Sequence, residues 1–402
     1  MSAVQVENIA LSEGVPIGCK VENGSFVATL QPSKPDSSCP PNVTFAEYSD
    51  SMGRFFVLAD GWLYTSLDGS YYIQVYEMPG ELPFLVNQRD ENGFFANFVC
   101  GGLNLYHRGP SDRKVYTFKH PVGGCVFKNG RFFGIDLDDR RKIRWSGTEK
   151  LTDWNEGLYG AGWLYTDETN GNVLKLLVYD SHLLAVCERG FTRISAYGAP
   201  ENFKVVSSDL RTGLINEKTV AIVGGKVIFY TSAGLFSYDG TNAQRVECPL
   251  LNTFESLDFA VSYSGEYYAC GFNKYLNRRC IICLDQSSGN GYLVDCPADA
   301  LCVHNGVYAY TAKGVCKLEK SSLWQFASGE MYFKTGEKKA LKLVEIYGDG
   351  AADIEVESEN ERRSIKSLKT RWLPHIYGRN FKFTVKSGAQ KLKIEALAEN
   401  LG

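Results

Sequence analysis

Histidine is scarce in this chain. Its five residues, His107, His120, His182, His304 and His375, stand apart from any G-x-S-x-G or similar Ser or Cys motif, so a nucleophile activated by a neighbouring base is not expected. Phosphate-cradling loops are also missing, since Gly123-Gly124 and the glycines from Gly157 to Gly162 are not followed by a helical pattern. No apolar run approaches the roughly 20 residues of a spanning helix. The start, Met1-Ser2-Ala3-Val4-Gln5, lacks the basic region and apolar core of a secretory signal. A net charge of −3 gives no electrostatic reason for binding along a nucleic-acid backbone. Twelve cysteines are too dilute here for a disulfide scaffold, so buried, reduced thiols made in a cytosol are expected. Acid pairs for glycoside hydrolysis are assembled in space, and sequence leaves them open.

What is abundant is the material of strands and turns. Forty glycines with 23 Tyr and 23 Phe, against four Met, favour short strands joined by tight turns. A repeat of turn, apolar strand, turn, second strand runs through most of the chain. Its copies begin at Gly53, Gly93, Gly130, Ser181, Gly225, Gly265 and Gly306, spaced 40, 37, 51, 44, 40 and 41 residues apart. That is the period of a four-stranded propeller blade. One such blade cannot cover its own apolar faces, whereas a ring of them can.

The reading is all-β: a β-propeller of seven blades, alternatively six if the irregular copy near Gly93 drops out, over residues 1–328. The last copy runs out near Trp324 with half a blade of chain. A strand from the N-terminal segment, around residues 4–30, is expected to close the ring and cover the open edge. Beyond residue 329 the aromatics thin out and polar-apolar alternation becomes clean, as in Phe381-Lys382-Phe383-Thr384-Val385. A small C-terminal β-sandwich over 329–402 is expected. Residues 331–402 carry 14 Lys and Arg against 10 Asp and Glu.

Several stretches could carry chemistry. Cys280-Ile281-Ile282-Cys283 has half the spacing of a zinc site, with Cys270, Cys296 and Cys302 near in sequence. In a strand, however, positions i and i+3 point to opposite faces, so structural thiols are the expectation and no metal is assigned. Asp136-Leu137-Asp138-Asp139 reads as a solvated turn neutralised by Arg140-Arg141. Ser66-Leu67-Asp68-Gly69 and Ser237-Tyr238-Asp239-Gly240 are like the Asp-box turns of sialidases but lack the Thr-x-Trp continuation. His182, which opens an apolar strand, reads as a core or rim residue. Arg362, Arg363, Lys366, Lys369 and Arg371, with Trp372, form a basic run. It reads either as a wet strand face or as a candidate interface with a neighbouring subunit or DNA phosphates. No catalytic residue, cofactor or membrane partner is expected.

One run resembles a known family. Ile143-Arg144-Trp145-Ser146, Asp153-Trp154, an apolar hairpin and Arg189-Gly190-Phe191-Thr192-Arg193-Ile194 come in order. Gly198-Ala199-Pro200-Glu201-Asn202-Phe203 and Gly234-Leu235-Phe236-Ser237-Tyr238-Asp239-Gly240 follow. Over about residues 125–245 this is similar to bacteriophage virion propellers, namely the packaged-DNA stabilisation (tail hub) proteins of short-tailed phages and related tail nozzle components. The resemblance implies a non-enzymatic structural role in the virion, after synthesis in the host cytoplasm. It implies a homo-oligomeric ring around the DNA exit path, in contact with portal, adaptor or tail subunits and close to DNA without reading it. A glycan- or receptor-binding propeller on the tail or capsid is the alternative, motivated by turn aromatics such as Trp62, Trp154 and Trp163.

Overall fold

A computed structural model describes residues 4–11, 14–36, 38–78, 80–86, 96–101, 103–107, 113–117, 120–150, 153–208, 213–285, 290–320, 323–333 and 337–401. Among these the fold is all-β, a β-propeller, with helix confined to short 3-10 turns. No helix is long and apolar enough to cross a membrane.

The repeat units seen in sequence are the middle hairpins of successive sheets. Arg54–Ala59 pairs with Trp62–Ser66, Arg131–Asp136 with Lys142–Trp145, and Glu266–Asn273 with Arg278–Asp285. Gly93, which headed the second copy, lies outside the described residues; the hairpin of Ala96–Cys100 and Leu103–His107 follows it. Second strands such as Arg131–Asp136 and His182–Cys187 are buried on both faces. They read as continuous apolar runs because neighbouring sheets cover each side. The turns use left-handed pairs, as at Asn129-Gly130, with φ of 49° and 73°, which match the twist of the strands they join.

Five sheets are self-contained blades of four consecutive strands, spanning residues 43–77, 84–117, 122–165, 173–208 and 215–245. The expectation of seven, or six, equivalent blades is corrected here, because the last two copies are built differently. Val307–Thr311 and Gly314–Lys320 share a sheet with Ala300–Val303, and its fourth strand is the distant Leu30–Pro32. The sheet that begins at Phe254–Tyr263 does not stop after Gly291–Val294. It continues through Gly14–Ile17, Trp324–Ser328, Lys382–Ser387 and Ala352–Glu357 to Arg362–Leu368, nine strands in all.

Apolar clusters lie between successive sheets, and one returns to the start: Phe55, Val57 and Ala59 pack with Cys302, Tyr310 and Val315. Each large side chain so buried contributes roughly 1.5–3 kcal/mol.

The C-terminal strands form no sheets of their own, which corrects the expected separate β-sandwich. One of their sheets is the far half of the nine-stranded sheet. The other pairs Lys391–Asn400 with Lys339–Gly348 and also takes in Val4–Asn8, Cys19–Glu22 and Ser25–Ala28. A single core lies between the two, where the Phe26 ring sits 5.1 Å from Trp324 and 4.8 Å from Phe326. The N-terminal segment therefore joins propeller and C-terminal layer at once. As expected, a strand from this segment closes the propeller: Leu30–Pro32, at its end, completes the sheet of Ala300–Val303.

Candidate functional site

First strands of successive propeller sheets lie side by side around the middle of the ring, as Ile215–Val223 does with Phe254–Tyr263 and Ala300–Val303 with Val43–Ser49. Five of these inner strands are bulged against their partners: at Thr44, between Gly123 and Val126, at Leu174, between Asn216 and Ala221, and on both sides of Leu257. A bulge bends the strand and re-aims its side chains. Lys175 follows the bulge at Leu174, and its Nζ donates to the Val220 carbonyl, 2.9 Å away in the next sheet's bulge. The same bulge is held by Thr219, whose Oγ1 donates to Asn216 O at 2.6 Å. Its carbonyl accepts from the Tyr267 hydroxyl at 2.8 Å.

Glu47 reaches this centre from Val43–Ser49. Burial pushes its carboxyl up to about 7, against the opposing pull of the Lys175 charge and the Leu85 backbone. Burial lowers the Lys175 ammonium, while Glu47 and Glu217 hold it up. Water touches part of both side chains, yet protein surrounds them on nearly every side. The nearby Cys302 thiol is pushed far above its usual range by burial and then by Glu47, so it is no nucleophile. Glu47, Lys175 and Glu217 thus make a cluster of two acids and one base near the middle of the ring, in which Lys175 ties two sheets together through the Val220 carbonyl. Sequence reasoning missed them. No local signal could have found them, because the sheets that meet are far apart in the chain.

The basic run at 362–371 is largely neutralised within its own layer. Arg362 pairs with Glu355, Arg363 with Glu361 at 3.5 Å and Arg371 with Glu345 at 2.5 Å. Lys366 and Lys369 project from the surface at and beyond the sheet edge, and Trp372 packs half-buried against the core. The edge strand is broken by a register shift, and Ser367 takes a φ of 52° with its N–H on Asp353. Basic, bulged edges oppose the addition of a further strand.

The other sequence candidates also have structural partners. Cys280 belongs to one inter-sheet cluster and Cys283 to the next, on opposite faces of their strand. Among the described residues no three His, Cys, Asp or Glu gather as a metal set. Asp136 is not solvated but buried. Arg144 neutralises it at 2.6 Å, in place of the expected Arg140-Arg141, and it also accepts from the Asp138 and Asp139 amides. Asp68 and Asp239 cap their own turns through the Ser70 and Thr241 amides, both at 2.9 Å. His182 lies half-buried beside Arg193.

The motif residues of the resemblance likewise pin loops. The Trp145 indole donates to Gly160 O at 2.9 Å, and Arg131 donates to Ser146 O, also at 2.9 Å. Of the three turn tryptophans, Trp154 is a core residue and Trp62 is half-buried. Trp163 stands at the surface, 36% exposed.

No family model matches the chain, and no curated protein matches it. Solved structures do. The extracellular domain of BT4673 from B. thetaiotaomicron is 10% identical with a TM-score of 0.53, covering 89% of this chain and 58% of that one. A second structure of that domain is 11% identical with a TM-score of 0.52, covering 87% and 55%. The chain therefore spans a little over half the length of those domains. At such identity the likeness shows the fold, a β-propeller, and carries no ligand or partner with it.

Proposed function

We propose that the protein is a non-enzymatic structural component of a bacteriophage virion, a tail or neck subunit that assembles as an oligomeric ring about the DNA exit path. The observation that supports this reading most is the nine-stranded sheet. It links the propeller's inner strand Phe254–Tyr263 to the outer edge at Arg362–Leu368 through Gly14–Ile17, which meets Gly291–Val294 at Ile17 and Leu293 and pairs along its length with Trp324–Ser328. A hinge between propeller and C-terminal layer would have to strain this junction and the other N-terminal strands that both share, which favours a single rigid subunit. The axial charges also serve this purpose, since Lys175 is spent on a backbone carbonyl rather than held out for a substrate.

Portal, adaptor or other tail subunits are the partners on this reading. The solvent-facing Lys366 and Lys369 are the part of the basic run left for them. Mass spectrometry of purified particles should find the protein in a fixed number of copies, and electron microscopy should show it in a closed ring. Particles that lack it, with the protein free in the lysate, would end the proposal.

A further inference from the structure

The outer strand Gly162–Tyr165 displays a corner of aromatic side chains that the structural role does not use. Gly162 is bare because the Trp145 ring lies against it; a Cβ there would meet Cζ2 at 2.7 Å. With one face of the strand so occupied, and Leu164 packed against the core, period two sends Trp163 and Tyr165 outward together. They are 36% and 46% exposed, with centroids 5.2 Å apart and planes at 72°. Lys142 Nζ stands in the corner, 5.0 Å from the indole centroid and 5.3 Å from the phenol centroid. Arg141 lies over Tyr165 and reaches Glu168 at 3.6 Å. The Trp163 Nε1 donates to Glu156 at 3.3 Å.

We propose that this corner is a saccharide-binding site, with Trp163 as the stacking face. Lys142 and Glu156 would supply a donor and an acceptor for ring hydroxyls. Alternative occupants fit less well. The two rings offer on the order of 200 Å² of surface, against the roughly 800 Å² per side of a stable protein interface. The carboxylates of Glu156 and Glu168 offset the charges of Lys142 and Arg141, leaving no net attraction for phosphate, which disfavours nucleic acid. Charges of both signs at the corner disfavour a lipid surface. A small, uncharged, flat-faced ligand rich in hydroxyls suits rings framed by two cations and two acids. This site does not depend on the virion reading, and either can fail alone.

The test uses the full chain on an array of capsular, lipopolysaccharide and peptidoglycan-derived saccharides, followed by calorimetry on the strongest hit. Trp163→Ala should weaken binding at least tenfold and Tyr165→Ala severalfold. Tyr377→Ala, at an exposed tyrosine of the C-terminal layer, should leave it unchanged, with all melting temperatures equal to the parent's. No retained saccharide, or affinity untouched by Trp163→Ala, overturns the proposal. So does a Trp163→Ala variant whose only loss is a contact with another protein.

Discussion

Glu47 shows how burial at the ring's centre turns an ordinary acidic residue into a pH-sensitive one. Its carboxyl lies raised to about 7 in the fold and near 4.3 in an unfolded chain. The folded state therefore binds the extra proton between those values. The contribution to stability is fully present below the lower value and is lost as pH rises through the upper one. After allowance for the part of the side chain open to solvent, the loss between pH 5 and pH 8 is about 1–2 kcal/mol. Glu47→Gln keeps the shape and does not titrate. Thermal melts at the two pH values should show the parent losing stability relative to the variant on the alkaline side; parallel curves would contradict this.

At the same scale, legibility was uneven. The opposite facing of Cys280 and Cys283 followed from strand geometry alone. Asp136 was misread because Arg144, its partner, sits across a hairpin rather than next to it in sequence. Glu47 stood among Ala46 and Tyr48 with nothing to mark it, because its environment is made by other sheets.

At the level of elements, the inner-strand bulges are what the rest of each sheet must fit around. Gly271 faces the bulge in Phe254–Tyr263, and a Cβ there would lie 2.0 Å from Ser256 O and 3.2 Å from Leu257 Cα. Both atoms are backbone and cannot swing aside. Gly271→Ala should therefore cost on the order of 3 kcal/mol. Gly225, in a left-handed turn with open space around it, is the control, and Gly225→Ala should cost only about 1 kcal/mol from handedness. Calorimetry should rank the two in that order; equal losses would mean that the bulge relaxes easily. The hairpins themselves were readable because Gly-containing turns and apolar runs are local features. The N-terminal strands were not, since Gly14–Ile17 and Ser25–Ala28 are four residues each and pair with Trp324–Ser328 and Lys391–Asn400 near the far end of the chain. Weak local pattern plus distant pairing is what sequence periodicity cannot resolve.

For the molecule as a whole, 402 residues are long for one core, and the change of pattern at residue 329 pointed to two. Two kinds of architecture do exist, but shared strands sew them together. Residues 323–402 alone would lack four strands. Lys391–Asn400 would lose its pairing with Val4–Asn8 and Ser25–Ala28, and Trp324–Ser328 its pairing with Gly14–Ile17. Phe26 would vanish from between Trp324 and Phe326. That fragment should show no cooperative melt and no near-ultraviolet circular dichroism. Fusing residues 4–33 to it through a flexible linker should restore both. The same strands include Leu30–Pro32, so deleting residues 1–33 from the full chain should lower the stability of propeller and layer together, in one calorimetric transition. A fragment of 323–402 that folds sharply by itself would show instead that the layer is an independent domain. The single rigid body on which the virion role is argued would then be lost with it.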